Sequence, residues 1–304
     1  MVKFIKGLGL YGLTCTGIIL ILASPALIVG LNGFSASALA IIKGILQPHA
    51  LSYYVSSETL SFGEMPEVRS VEFHQQQVEG DLFPYILDSY FYSMSLLFGS
   101  FLLAVIVSSF AGLLYIQSHS FMKKMTLTAI GILESLPDVF FIFSIQLVVV
   151  WFYKQTGIEP AAPYSTSDKQ AYVLPLLISS IVPSIYLWKV LILFIKEESE
   201  KDYVVFAKSK GLSGAAISFR HIFRNTALES VAHLPLVILT LLTNLIVIEY
   251  LFHSSGIMGF IMGNQPASSR AFMLILLMTP LYLLVQGANR YRQRFYETRG
   301  GGIG

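Results

Sequence analysis

Glu134 and Asp138 stand four residues apart in a largely apolar stretch, and on a continuous helix that spacing puts both carboxylates on one face. Such a pair could line a path for solute, relay protons or pair with polar groups inside a helical bundle. Glu249 is a third acid of this kind, placed at the end of the charge-free run 230–248 with Asn244 close before it. Ionisable groups inside apolar segments are costly and mark functional sites by default. Glu134, Asp138, Asn244 and Glu249 are therefore expected to face a path for solute. The alternative is that they pair with polar groups inside a helical bundle and only hold it together. Glu229/His233 and Glu249/His253 have the i, i+4 spacing that lets two ligands share a metal. Neither pair brings an evident third ligand, so no metal site is expected.

Other chemistries lack their parts. Gly7-Leu8-Gly9-Leu10-Tyr11-Gly12 spells G-x-G-x-x-G, but it opens an apolar helix instead of following a strand, which argues against dinucleotide binding. No Gly-Lys dipeptide occurs, so the chain carries no P-loop and is expected to bind no cofactor itself. If ATP drives it, another subunit must bind the nucleotide. No Ser/His/Asp or Cys/His order points to hydrolysis, and no catalytic residue is expected. Cys15, the only cysteine, reads as a packing residue and can form no internal disulfide.

The elements that would position these groups are membrane helices. Of 304 residues 54% are hydrophobic and 12% charged, about half the ~25% charge of a soluble domain. Residues 7–42, 89–122, 139–153, 170–188, 230–248 and 271–289 contain no Asp, Glu, Lys or Arg. About 20 apolar residues cross a ~30 Å hydrocarbon core as a helix. Six helices follow, over about 8–31, 89–116, 126–152, 171–194, 230–252 and 271–289. The third reaches spanning length only by starting near Met125, which takes Glu134 and Asp138 into the membrane. Continuous apolar runs argue against a barrel, so the fold class expected is all-α and polytopic. Lys3, Lys6 and Ala38-Leu39-Ala40 imitate a signal peptide, but the stretch from Leu8 to Leu31 is too long for its apolar core, and an uncleaved first helix is expected.

Charge sets the orientation. With the N-terminus inside, inner segments hold fourteen of the twenty lysines and arginines, among them Lys123, Lys124, Lys208, Lys210, Arg220, Arg224 and Arg290. Outer segments hold only Lys43, Arg69, Lys154, Lys169 and Arg270. This bias predicts N-in, C-in topology. The net charge of +2 is thus a topology signal and no argument for nucleic-acid binding. The chain divides into an N-terminal helix (1–31), an acidic extracytoplasmic region (32–88), a core (89–290) with a cytoplasmic hairpin at about 196–228, and a basic tail (291–304). The outer region is too long to be structureless, and 35–47 is expected to form an interfacial helix ended by Pro48.

The inner segment is the most informative. Acids at 197–202 suit a helix start and Lys208 and Lys210 a helix end. Gly211 fits the left-handed position past that end, with Leu212 folding back, and Ser213 can cap the next helix. Tyr203, Phe206, Ala207, Ile217 and Phe223 then form an apolar surface flanked by Lys208, Arg220 and Arg224. Such a hairpin either lies on anionic lipid or docks a soluble partner.

Asp202-Tyr203-Val204, Ala207-Lys208-Ser209-Lys210-Gly211-Leu212-Ser213, Arg220-His221 and Arg224-Asn225 closely resemble the EAA loop of the dipeptide/oligopeptide/nickel permeases, the membrane subunits of binding-protein-dependent ABC importers. Ser93-Met94-Ser95, Glu134-Ser135-Leu136-Pro137-Asp138, Ile248-Glu249-Tyr250-Leu251-Phe252 and Gly256-Ile257-Met258-Gly259 agree with other stretches of that family, and the likeness covers 81–290. Departures are Val205 in place of the motif's Glu, Glu229 in place of Pro, and Gln286 near the end of the last span. The resemblance implies a type I importer permease in a prokaryotic inner membrane. It implies coupling to an ATPase through Asp202, Tyr203, Ala207, Lys210, Gly211, Leu212, Arg220, His221 and Asn225. It also implies as partners a second homologous permease, two cytoplasmic ATPase subunits that use ATP and Mg, and an extracytoplasmic solute-binding protein. The cargo stays open between a peptide-like solute and a metal or metal chelate. A proton-coupled secondary transporter using Glu134, Asp138 and Glu249, or a non-transporting scaffold, are the alternatives. The internal symmetry expected of the former is not evident.

Overall fold

The computed structural model describes residues 2–62, 71–166 and 169–300. Six helices have the length and composition to cross a membrane: Gly9–Val29, Ile86–Gln117, Asp138–Thr156, Val173–Ser199, Ser218–Leu251 and Ala267–Glu297. The chain divides into two compact units, Met1–Phe91 with Gly256–Tyr282, and Tyr92–Ser255 with Leu283–Gly304.

In the first unit, α1 (Val2–Ala23) tightens into a 3-10 segment, Ser24–Val29, which carries a proline in its first turn, and α2 (Leu31–Leu46) packs against α1. Ala23, Ile41 and Ala271 are its buried centre, with Ile18, Leu22, Phe34 and Ala38 around them. The helix expected at 35–47 thus starts four residues earlier and ends, as expected, before Pro48, whose ring and missing N–H cannot continue it. Beyond it, β1 (Ser52–Phe62) and β2 (Val71–Asp81) form an antiparallel ribbon, the one non-helical regular element among the described residues. The strands pair from Ser52↔Asp81 to Phe62↔Val71. Glu64, Glu67 and Arg69 lie outside the described residues. The ribbon is tied down at its base. Gln265 accepts from the Tyr54 N–H at 2.8 Å and donates to the Tyr54 carbonyl at 2.9 Å, and the Ser269 hydroxyl donates to the Ser52 carbonyl at 2.6 Å. Tyr53 stacks on Tyr85, with ring centres 4.1 Å apart. The unit is completed by α11 (Ile257–Met262) and the first half of α12 (Ala267–Gly300).

The second unit is built on α6 (Val173–Ser199). Against it lie α4 (Ser120–Glu134), α5 (Asp138–Thr156), α9 (Arg224–Ser230) and α10 (Leu234–Leu251). Most of α3 (Ile86–Gln117) belongs here too. Gly99 lets α3 approach α6: a Cβ there would sit 2.5 Å from the Leu176 side chain. Ser100 and Tyr92 of α3 donate to the Leu176 and Ala171 carbonyls at 3.0 and 2.8 Å. One apolar cluster joins Ile142, Leu174, Ile178, Ile248 and Phe252, and another joins Ile185, Ile192, Ile195, Val204, Ala207, Ile217 and Ile222.

The single helix expected at 126–152 is instead two. Pro137 has no N–H and keeps Leu136 out of the helical region, so α4 ends at Glu134 and α5 begins at Asp138. The two acids therefore do not share one face of a continuous helix. Asp138 opens α5, where its charge suits the helix dipole.

Candidate functional site

The loop between the fourth and fifth spans folds as a capped hairpin. Its first leg, α7, runs Asp202–Ser209. Gly211 takes φ +76°, and the Leu212 N–H reaches the Ala207 carbonyl at 3.4 Å while the Gly211 N–H reaches Lys208 at 2.9 Å. This paired closure is the glycine-ended helix stop anticipated from the residues. The Ser213 hydroxyl then accepts the Ala216 N–H at 3.3 Å and caps α8 (Gly214–Ile217). A π turn, Ser218–Phe223, leads into α9 and a 3-10 turn, Val231–His233, into α10. Such wide turns recur at functional sites, and nothing in the residue pattern announces this one.

The apolar face is not the one expected. Ala207 and Ile217 turn inward with Val204 and Ile222, because positions 204 and 207 of α7 lie one turn apart against α6. What the hairpin presents outward is Val205, Phe206, Leu212 and Phe219, with Phe206 60% exposed. Leu212 stays largely exposed rather than folding back into cover. Lys210 lies over the Phe206 ring, 4.4 Å from its centre. Of the residues read as coupling candidates, Asp202, Lys210, Gly211, Leu212 and Arg220 are exposed, Tyr203, His221 and Asn225 are half-buried, and Ala207 is buried.

Tyr203 and Asn225 converge on a residue the sequence reading passed over. Glu198, in the last turn of α6, is only 3% exposed. Its Oε1 accepts from Tyr203 Oη and from Asn225 Nδ2, each at 2.7 Å, and its Oε2 pairs with the Lys201 ammonium. That bond to Glu198 holds the Lys201 ammonium above its ordinary lysine value. Within the acidic run only Glu198 continues the buried series Leu191, Ile195, while Glu197 and Glu200 stay exposed. The helical period was the signal that could have singled it out.

The second feature is a charged cleft of about 430 Å³ where the α4–α5 break meets α6 and α10. Glu134 and Asp138 both line it, with Tyr186 and Lys189 of α6 and Leu236 and Thr240 of α10. The Lys189 ammonium lies 2.6 Å from Glu134 Oε2, and Tyr186 Oη is 2.8 Å from His233 Nδ1. The break thus separates the acids on the helix but keeps both in one cavity. Glu249 and Asn244 lie elsewhere, buried on α10, where Ser93 Oγ donates to Glu249 Oε1 at 2.5 Å. Neither acid–histidine pair shares a helix face. His233 belongs to the 3-10 turn beyond α9, and His253 lies past the end of α10 with φ +49°. Among the described residues no three His, Cys, Asp or Glu side chains gather to hold a metal.

Six spanning helices with a cationic hairpin between the fourth and fifth define a multi-pass membrane protein of the transport-permease class. The chain belongs to the family of binding-protein-dependent transport system inner membrane components, which matches residues 104–296, and is an inner-membrane permease component of the ABC importer type. It is similar to the oligopeptide transport system permease protein AmiC of Streptococcus pneumoniae, in serotype 4 strain TIGR4 and in strain R6. Each is 24% identical over 163 residues, 51% of this chain. The match covers 31% of the length of these curated relatives.

Proposed function

We propose that this chain is one of two membrane-spanning subunits that import a small solute, delivered by an extracytoplasmic binding protein and driven by a separate ATPase. The exposed hairpin tip carries this reading. Val205, Phe206, Leu212 and Phe219 are exposed apolar groups on the capped hairpin, Lys208, Lys210, Arg220 and Arg224 are exposed on the same segment, and Lys210 lies over Phe206. Apolar anchors with a charged rim are what a soluble protein groove recognises. ATP and Mg belong to that partner, since this chain has no P-loop. The names of the relatives favour a peptide-like cargo.

The cleft is the inner end of the path. The side chains of Lys189 and Glu134 are 46% and 30% exposed, and a charge pair at this depth is costly against lipid. It faces a second permease subunit or the aqueous path between the two. Glu249 takes a hydrogen bond from Ser93 that links α10 to α3.

The test is to tag the chain, extract it from its native membrane in mild detergent and identify what co-purifies. An ATPase subunit and a second permease are expected. Phe206→Asp should lower ATPase recovery about tenfold or more while leaving membrane insertion intact. Undiminished recovery, or gradient-driven uptake by this chain alone, would defeat the reading.

A further inference from the structure

A hairpin gripped at its tip moves the spans only if its legs do not bend. The apolar packing beneath it, Val204, Ala207, Ile217 and Ile222 against Ile192 and Ile195, holds the legs to α6 through a driving force that is itself non-directional. Directional contact converges on Glu198. One carboxylate at the end of α6 accepts from Lys201 in the link, from Tyr203 on the outgoing leg and from Asn225 on the returning leg. Asn225 Nδ2 also lies 3.5 Å from Tyr203 Oη, so the two legs meet each other there. A buried carboxylate is tolerable only when donors fill it, and bonds to an ionised acceptor are shorter and stronger than neutral ones.

We propose that Glu198 is the positioning residue of the coupling stroke. It joins the end of the fourth span and both legs of the hairpin into one rigid body, so that movement imposed at the tip reaches α10. This rests on the coupling role proposed above for the hairpin. Glu198 touches neither nucleotide nor cargo and acts through the helices it fixes.

The test uses the whole complex with its co-purified ATPase, reconstituted in lipid discs. In a Cys15→Ser background, Thr240→Cys in the cleft reports on the spans through its rate of reaction with a charged maleimide, measured with and without ATP and vanadate. With Glu198 present, trapping should change the rate about fivefold or more, and Glu198→Ala should shrink that change below about twofold while the ATPase stays bound and hydrolyses ATP. Glu198→Gln keeps an acceptor for Tyr203 and Asn225 and should retain most of the response. A role confined to stability would lower the yield of complex but not the response of each complex formed. Where Glu198→Ala does not assemble, Tyr203→Phe combined with Asn225→Ala decides, and a reduced response supports the proposal. An undiminished response in Glu198→Ala, or in that double variant, overturns it. If no ATPase co-purifies, or the parent complex does not respond to trapping, the coupling reading fails and this inference falls with it.

Discussion

The Lys189 ammonium of α6 lies 2.6 Å from the Glu134 carboxylate at the end of α4. This pair fastens α4 to the fourth span, and it lies in the cleft that also holds Asp138. Replacing one partner leaves an uncompensated charge at membrane depth. Lys189→Met is expected to cut binding-protein-stimulated ATP hydrolysis by the reconstituted complex about tenfold, and the exchange Glu134→Lys with Lys189→Glu to recover most of it, as coupled neighbours do. Equal loss in the single and exchanged variants would show that the pair is not the operative contact.

Gly211 holds φ +76° at the stop of α7. A β-branched side chain is strained there by about 1–2 kcal/mol, whereas asparagine occupies this position in many helix stops. Gly211→Val should lower the melting temperature of the purified complex and its ATPase content, and Gly211→Asn should do so much less. Equal melting of the two variants would mean that the turn is not under this constraint.

The Gln265 side-chain amide completes the backbone pairing of Tyr54 as a further strand residue would, with bonds of 2.8 and 2.9 Å. A net hydrogen bond is worth about 0.5–1.5 kcal/mol. Losing both in Gln265→Ala should speed amide exchange at Tyr54 about tenfold or more and expose the ribbon to protease added from outside. Gln265→Glu keeps the acceptor but loses the donor and should fall between. Unchanged exchange in Gln265→Ala would place the ribbon's anchor at Ser269 and Tyr85 instead.

These sites differ in how much of them could be read from residues alone. The hairpin turn was legible because its chemistry is local: a glycine, the lysines before it and a serine two residues on specify both caps. The spans were legible because lipid demands unbroken apolar runs. The break at Pro137 was within reach of the same rules, but the need for twenty apolar residues outweighed it. The ribbon at 52–81 escaped because its strands are polar and its anchor, Gln265, is 211 positions from Tyr54. The inward turn of Tyr203 and Asn225 escaped for a related reason. Both were read as surface contacts, and only the fold brings them to one buried carboxylate.

Glu249 separates bracing from passage. It is 3% exposed, and Ser93 of α3 donates to it at 2.5 Å. A net hydrogen bond contributes about 0.5–1.5 kcal/mol, so Ser93→Ala should destabilise the complex by roughly that amount without abolishing turnover. Glu249→Gln keeps an oxygen acceptor for Ser93 and removes the ionisable group. If Glu249 only braces α3 and α10, this variant retains stimulated ATP hydrolysis and solute uptake within about twofold, since surrounding packing carries most of the remaining stability. Glu134→Gln, by contrast, leaves Lys189 without its counter-ion in the cleft and should lower both activities several-fold. A large loss of uptake in Glu249→Gln with normal assembly and melting would move Glu249 from the frame of the bundle to the wall of the path.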